Sequence, residues 1–361
     1  MVKRSVGVEE ELLLVSADGG EPQAVSGAVL ASADEAEELE KELQREQVET
    51  GTRPRTEMVD LAVEVRRWRG AASQRARAVG AEVAALATSP LPVDPSLSPG
   101  DRYRRMVEEY GLTAQEQLTC GCHVHVGVES DEEGVAVLDR IRPWLAPLLA
   151  MSANSPFWQG EDSGYASYRN RVWGRWPSAG PVEAFGSAEA YHERVRTMIA
   201  TGALLDEGMV YFDARLARNY PTVEVRVADV CLDARDTVLV AALTRGLVET
   251  AARAWREGEP PAAVDVGLLR LAAWRAGRSG ISGDLVHPET FEPAPARAVV
   301  EALVEHVRPA LSDAGDLSLV EEGVAELFRR GSGADAQRAV WEESAGNLGA
   351  VVAEAVRRTV A

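Results

Sequence analysis

The chain has 361 residues, of which 57 are acidic and 38 are basic, so its formal net charge is −19. A surface this acidic repels nucleic-acid phosphates and anionic lipid headgroups, so we expect no nucleic-acid or membrane partner. Hydrophobic residues make up 46% of the chain, an ordinary globular composition, and the length allows one large domain over residues 1–361.

The cellular setting follows from what the sequence lacks. No apolar run reaches the ~18 residues that span a bilayer. Residues 1–9 have no apolar segment of the secretory-signal kind. Three cysteines are too few for a disulfide framework in a chain of this length. We therefore expect a cytoplasmic protein.

Apolar periodicity and turn residues divide the first two thirds of the chain into strands and helices. Predicted strands lie at about 5–15, 46–51, 121–128, 208–216 and 222–230. Predicted helices lie at 31–46, 67–89, 101–110, 131–151, 187–206 and 233–257. From about 259 onward the chain is predicted to be helical, with loops at 276–296 and 331–334. This order indicates an α+β fold rather than a strict βαβ repeat.

Each predicted strand gathers polar side chains on one face, because residues i and i+2 lie on the same side, about 6.6 Å apart. The other face is apolar and predicts a covering layer of helices. Glu10 falls on that apolar face of its strand, which indicates a strand edge or a buried pair. The polar sets, strand by strand, are Glu9 and Glu11; Gln47 and Glu49; His123 and His125; Tyr211, Asp213 and Arg215; and Thr222, Glu224 and Arg226.

A shared sheet face bearing these groups would form an anionic site. Several carboxylates brought together repel one another, and divalent cations make such a cluster tolerable. Oxygen-rich ligation with one or two imidazoles suits Mg²⁺ or Mn²⁺ better than zinc. A solvated sheet face is the alternative for any single strand.

The segment Cys120-Gly121-Cys122-His123-Val124-His125 also resembles a zinc site, with four soft ligands in six residues. Alternation argues against zinc, because the cysteines and the histidines point to opposite faces of a strand. We expect both cysteines to be small core residues.

Residues 152–186 lack regular periodicity and combine Gly, Ser, Trp, Tyr and Arg, which is typical of a functional lid. Arg169, Arg171 and Arg175 lie among its aromatic residues. They predict a clamp for a carboxylate or phosphate, and a tryptophan-anchored loop is the alternative. The chain contains no P-loop, no Rossmann glycine motif and no Gly-x-Ser-x-Gly elbow, so a nucleotide would have to bind through metals and arginines.

These segments stand in a characteristic order, and over essentially the whole chain they resemble the bacterial carboxylate–amine ligases known as glutamate–cysteine ligase type 2. The motifs are GVEEEL at 7–12, QVET at 47–50, CGCHVHVG at 120–127, SPFW at 155–158 with the block 164–180, TVEVRVAD at 222–229 and GADAQR at 333–338.

The resemblance implies a fold like the catalytic domain of glutamine synthetase: a curved, mainly antiparallel sheet with helices on its outer face. It also implies ATP with Mg²⁺ or Mn²⁺. Glu9 would share one ion with His123 and Glu224, and Glu11 would share another with Glu49. Arg226 would contact the transferring γ-phosphoryl group, so Glu224 and Arg226 are the candidate catalytic residues. We expect substrate or ATP binding by the remaining polar groups, namely His125, Arg169, Arg171, Arg175, Asp213 and Arg215, together with Arg226.

The expected reaction is ATP-dependent joining of a carboxylate and an amine through an acyl phosphate. Glutamate and cysteine are the default pair by resemblance. The partners are then small molecules, and a homodimer is allowed. A metal-dependent hydrolase, a ligase for another acid and amine, and a non-catalytic metal- or nucleotide-binding protein are the alternatives.

Overall fold

An open antiparallel sheet forms the centre of the computed structural model, which describes residues 3–31 and 39–361. Its strands are β1 (Val6–Ser16), β2 (Leu39–Lys41), β3 (Gln47–Gly51), β4 (Ala81–Ala84), β5 (Gly121–Gly127), β8 (Ala214–Leu216) and β9 (Thr222–Asp229). The order is β2-β3-β1-β5-β9-β8, and β4 pairs with the second half of β1 beside β5. Two small hairpins lie apart from it: β6 (Phe157–Trp158) with β7 (Glu161–Asp162), and β10 (Asp284–Val286) with β11 (Pro293–Pro295).

Helices cover the apolar face of the sheet and make up most of the last third of the chain. They are α1 (Ser26–Ala31), α2 (Met58–Ala78), α3 (Asp101–Tyr110), α4 (Leu112–Gln115), α5 (Asp131–Ile141), α6 (Leu145–Ser152), α7 (Arg169–Trp173), α8 (Ala188–Ala200), α9 (Ala234–Arg256), α10 (Val266–Ser279), α11 (Ala296–Ala314), α12 (Leu317–Arg330), α13 (Gly333–Glu343) and α14 (Leu348–Thr359). The α+β prediction is therefore confirmed, including the break before Pro143, where a 3₁₀ turn separates α5 from α6.

The long helix α9 is buried along most of its length, because it packs on the sheet at β5 and is itself covered by α5, α11 and α12. Valines 223, 225 and 227 of β9 and Val124 and Val126 of β5 belong to this core. A second core lies around the far end of β1, β4, α1, α2 and α14. Within the described ranges 3–31 and 39–361, no helix combines the length and apolarity needed to cross a bilayer.

Strand β9 contains a β-bulge. Cys122 pairs with Ala228 and Val124 pairs with Val225, so β9 has one residue more than β5 between these two pairs. As a result Val227 and Ala228 both lie in the core, and Asp229, paired with Gly121, points to the polar face. The bulge gives β9 polar-face groups at 224, 226 and 229.

Several predicted elements are wrong in part. The predicted helix 31–46 is wrong at residues 39–46, where the structure has β2 and the turns that follow it. Residues 32–38 of this prediction lie outside the described residues. The predicted helix 67–89 ends at Ala78, after which β4 pairs with β1. The predicted strand 208–216 is a strand only at 214–216, with a 3₁₀ turn at 207–209. In each case tertiary pairing overrides local propensity.

Glu10, on the apolar face of β1, is one half of a buried ion pair. Arg69 of α2 donates to both of its carboxylate oxygens, at 2.6 and 2.8 Å, and Thr237 donates at 2.6 Å. The same guanidinium donates to the carbonyl oxygens of Cys231 and Leu232. Both charges are thus satisfied inside the core, as burial requires.

Candidate active site

Strand register brings the predicted polar groups of four strands together on one face of the sheet. Glu9 of β1 lies opposite His123 of β5. Glu11 lies opposite Glu49 of β3. His125 lies opposite Glu224 of β9. Cross-strand neighbours have Cβ atoms about 5 Å apart, so this register alone makes a continuous polar surface.

Glu9 lies at the centre of this surface, between the two histidines. Its carboxylate oxygens are 3.4 Å from His123 Nδ1 and 3.3 Å from His125 Nε2. Burial raises the pKa of Glu9, but hydrogen bonds to the histidines more than offset it and hold that pKa below its ordinary value. Burial and the charge of Arg226 lower the pKa of His123 to about 4. Glu9 is therefore ionised at neutral pH, and His123 is neutral with a free lone pair.

A second acidic group lies beside the first. Glu11, Glu42 and Glu49 each place a carboxylate oxygen within 4.8 Å of the others. Burial raises the pKa of Glu11 and Glu49, and burial with the charge of Glu11 raises that of Glu42 to about 7. The sequence does not predict Glu42 as a site residue, because the Ala- and Glu-rich segment 31–46 favours a helix and carries no strand alternation.

These carboxylates and imidazoles form three groups that could each hold a metal ion. The groups are Glu9, His125 and Glu224; Glu9, Glu49 and His123; and Glu11, Glu42 and Glu49. Among the described residues, His123 Nε2 is buried without a hydrogen-bond partner, which is a costly state for an imidazole unless a ligand meets it. The donor set is mostly carboxylate oxygen, so it fits Mg²⁺ or Mn²⁺.

Two arginines bind the carboxylate of Glu224. Arg215 of β8 donates to both of its oxygens, at 2.7 and 3.2 Å, and Arg226 donates to one of them. Burial raises the pKa of Glu224, but Arg226 and Arg215 together hold it well below its ordinary value. The Nε atom of Arg226 is buried and has no hydrogen-bond partner in the part of the chain that the structure describes, so this guanidinium keeps a donor available on the polar face.

Of the three arginines in the 152–186 segment, the structure brings one into the site. Arg169 is buried and lies against Gly121, where any Cβ would overlap its guanidinium. The indole of Trp173 lies 5.7 Å from Arg169 and 5.8 Å from Arg226, so both cations contact one ring.

The other sequence-predicted residues lie elsewhere. Arg171 is exposed. Arg175 pairs with Glu116 at 2.6 Å and stacks over Trp158. Asp213 precedes β8 and borders small cavities near Leu145 and Leu269, and burial raises its pKa to about 7. The structure does not bring these three side chains to the Glu9 cluster.

The zinc alternative finds no support in the geometry. Cys122 packs in the main core and Cys120 in the second core, while His123 and His125 point to the opposite face. Burial raises the pKa of both thiols well above the ordinary value, so neither is a thiolate at neutral pH. The prediction that both are core residues is confirmed.

A cleft of about 550 Å³ opens beside this cluster. Its lining includes Glu9, Glu49 and His125 of the cluster, together with Thr52, Arg53, Tyr220 and Pro221. The ring of Tyr220 is exposed and meets His125 edge to face, with 6.2 Å between the centroids. The cleft leads from solvent to Glu9, whose side chain is 31% exposed.

Comparison with known proteins identifies the family. Residues 5–354 match the model of glutamate-cysteine ligase family 2. This chain belongs to that family. A protein of Streptomyces avermitilis, provisionally named glutamate–cysteine ligase 2-1, is 60% identical over 360 residues, covering 99% of each chain. One of Streptomyces coelicolor, provisionally named glutamate–cysteine ligase 2, is 59% identical over 362 residues with the same coverage.

Solved structures of low sequence identity share the fold of this family 2 chain. A glutamate–cysteine ligase from Francisella tularensis in complex with AMP has a TM-score of 0.72 at 11% identity, covering 100% of this chain and 90% of its own. A bifunctional glutathione synthetase from Pasteurella multocida has a TM-score of 0.71 at 15% identity, covering 99% and 52%. The expected fold is therefore confirmed.

Proposed function

We propose that this family 2 protein is an ATP-dependent carboxylate–amine ligase of the cytoplasm that joins the γ-carboxyl group of glutamate to the amino group of cysteine. The observation that carries the proposal is the shared face on which five glutamates and two histidines meet Arg169, Arg215 and Arg226. Such a face suits a polyphosphate with divalent cations at one end and a carboxylate substrate at the other.

The reaction has two steps. A γ-carboxylate oxygen of glutamate attacks the terminal phosphorus of ATP, the bond to ADP breaks, and an acyl phosphate forms. The nitrogen of cysteine then attacks the acyl carbon, phosphate leaves and the nitrogen loses a proton, which yields γ-glutamylcysteine. Each step needs alignment and neutralisation of phosphate charge more than it needs covalent help from the protein.

The residues divide these tasks. Glu9, Glu49, His123, His125 and Glu224 would hold Mg²⁺ or Mn²⁺ beside the cleft, and Glu11 with Glu42 and Glu49 would hold another ion. The bound cation supplies charge neutralisation to the phosphate oxygens. Arg226 stabilises the negative charge on the transferring phosphoryl group, and Arg215 holds Glu224 in its ionised form. The cleft beside Tyr220 has the size and the aromatic wall for the nucleoside of ATP.

ADP release tests the proposal. Purified protein with Mg²⁺ and ATP is supplied with each of a panel of amino acids as acid and as amine, and the product is identified by mass spectrometry. We expect ADP release that requires both glutamate and cysteine and stops in excess EDTA. Release with another acid and amine would retain the ligase and change its substrates.

The alternatives predict different results. A metal-dependent hydrolase would cleave amides without ATP, and a non-catalytic protein would bind nucleotide without turnover. Two observations favour the ligase over the hydrolase. Three arginines lie beside the carboxylates of the polar face, and a nucleoside-sized cleft adjoins Glu9 and Glu49.

A further inference from the structure

Asp229 lies at the inner end of the polar face, where the β9 bulge turns it away from the core. The residue is fully buried. One carboxylate oxygen accepts hydrogen bonds from the backbone N–H of Asn154 at 2.9 Å and the hydroxyl of Ser155 at 2.7 Å. The other accepts from the hydroxyl of Ser167 at 2.8 Å. One carboxylate thus ties two distant parts of the 152–186 segment to the sheet.

The same contacts fix the backbone position of Arg169. Its backbone N–H donates to the Ser155 hydroxyl at 3.0 Å, and Ser155 and Ser167 form a parallel bridge just before it. The Arg169 guanidinium returns toward Asp229, with Nη1 4.0 Å from the carboxylate. Gly121, which pairs with Asp229, leaves the space that this guanidinium fills.

Arg169 is held in place but not saturated. The distance of 4.0 Å to Asp229 is an ion pair without a hydrogen bond, and the buried Arg169 Nε has no hydrogen-bond partner among residues 3–31 and 39–361. A buried guanidinium with an unused donor is a strong site for a second carboxylate, because arginine binds carboxylates through paired N–H groups. Burial raises the pKa of Glu11 and the charge of Arg169 lowers it, but the Glu11 carboxylate accepts no hydrogen bond from Arg169.

We propose that Asp229 is a positioning residue, which holds Arg169 over Gly121 so that Arg169 binds a carboxylate of the acid substrate. This assignment rests on the proposed function for the identity of the bound group, whereas the positioning of Arg169 stands on the contacts alone. It predicts that loss of the Asp229 charge weakens binding of the acid more than it weakens binding of ATP.

Asp229→Asn is the sharpest variant. Asn keeps the volume, its oxygen can accept from Asn154 and Ser155, and its amide can donate to the Ser167 hydroxyl, so the segment stays tied while the charge facing Arg169 is lost. Asp162→Asn is the matched control. Asp162 ties the same segment through two hydrogen bonds from Arg338, at 2.7 and 3.0 Å, and these contacts do not involve Arg169.

Steady-state ADP release gives the first readout. We expect Asp229→Asn to raise KM for the acid substrate by about tenfold or more, the size of one hydrogen bond to a charged group, and to leave KM for ATP within about twofold. Asp162→Asn should leave both constants near those of the unmodified protein. An unchanged acid KM in Asp229→Asn, or an equal rise in Asp162→Asn, would overturn the assignment.

Arginine modification gives a second readout that needs no turnover. Phenylglyoxal reacts with accessible guanidinium groups, and peptide mass spectrometry measures its rate at Arg169. We expect slow reaction in the unmodified protein and in Asp162→Asn, and at least about fivefold faster reaction in Asp229→Asn, where the guanidinium has lost its anchor. Equal rates in all three proteins would disprove positioning, whether or not the protein proves to be a ligase.

Discussion

Arg226 illustrates what one side chain can contribute on this face. It binds Glu224 and contacts the Trp173 ring, and its buried Nε has no hydrogen-bond partner within the described ranges. We predict that Arg226→Lys lowers kcat by ~10³ while much of the ATP affinity remains, because lysine keeps the charge but lacks the planar fork that spreads over phosphoryl oxygens. Rapid-quench measurement of phosphoryl transfer checks this prediction. Arg196→Lys, an exposed pair with Glu193, is the control and should behave as the unmodified protein.

A normal transfer rate in Arg226→Lys with a lowered melting temperature would reduce Arg226 to a structural contact. In that case its bond to Glu224 would only order the side chains along β9. The two roles are separable because the structural contact acts on stability and the catalytic role acts on rate.

Arg69 offers a stability test away from the site. It is the partner of buried Glu10, and it also donates to two carbonyl oxygens. Arg69→Met would leave Glu10 charged and partly unpaired in the core, so we expect a loss of about 3–5 kcal/mol in the free energy of unfolding. Urea denaturation measures this loss. Arg66→Met, on the exposed side of α2, should change the free energy of unfolding by less than about 0.5 kcal/mol.

At the scale of elements, α2 and α9 show how the surroundings decide what a helical glycine is worth. Gly70 in α2 has open space where a Cβ would be, whereas a Cβ at Gly246 in α9 would lie 3.1 Å from Val307 and 3.2 Å from Leu311. We predict that Gly70→Ala raises the free energy of unfolding by about 0.5–1 kcal/mol and that Gly246→Ala lowers it. Thermal or urea unfolding of the pair tests both signs, and a stabilising Gly246→Ala would contradict the packing argument.

The strands also show how much of the candidate site the sequence predicts. Alternation in β1, β3, β5 and β9 was enough to place Glu9, Glu49, His123 and Glu224 on one face, because a strand leaves each side chain only two directions. The same rule places Asp213 with them, but Asp213 lies outside a strand, because β8 begins at residue 214. Glu42 could not be found, since only pairing of β2 with β3 makes its neighbourhood part of the sheet.

Asp229 shows a different limit. It ends the motif TVEVRVAD at 222–229, but alternation from Arg226 places residue 229 on the apolar face. Only the bulge, which nothing in the local sequence indicates, reverses that direction.

At the scale of the whole molecule, the C-terminal helices close back on the start of α9. Asp233 accepts two hydrogen bonds from Arg358 of α14, at 2.5 and 3.1 Å, and lies 3.2 Å from Arg330 of α12. Thr359 accepts from the backbone N–H of Ala85, just after β4, at 2.8 Å. The end of the chain is thus joined both to the sheet and to its central helix.

Asp233→Ala should therefore loosen several elements at once. We expect a loss of roughly 1–3 kcal/mol in the free energy of unfolding, because two arginines in partly buried positions lose their shared partner. Asp313→Ala, which removes an exposed partner of Arg253, should cost about 0–1 kcal/mol. Urea unfolding followed by two spectroscopic probes measures both.

The stabilisation that Asp233 contributes depends on pH in a definite direction. Burial raises the pKa of Asp233, but Arg358 and Arg330 more than offset it, so its folded pKa lies below the ordinary 3.8. The stabilisation is therefore fully present above about pH 4 and is lost as the pH falls through the folded pKa. The difference in free energy of unfolding between the unmodified protein and Asp233→Ala should therefore become smaller in acid. A larger difference in acid would show that Asp233 is protonated in the folded protein.

The extra residue in β9 determines which face of the sheet the side chains after it occupy. Glu224 and Arg226 are two positions apart, but Asp229 follows Arg226 by three, and only the bulge between them makes the odd spacing land on the same side. Replacing Val227 with another apolar residue leaves the directions of these side chains unchanged. Deleting one residue there would turn a carboxylate into the core and take the anchor of Arg169 with it. Along this stretch one apolar residue can therefore replace another, but the number of residues cannot change.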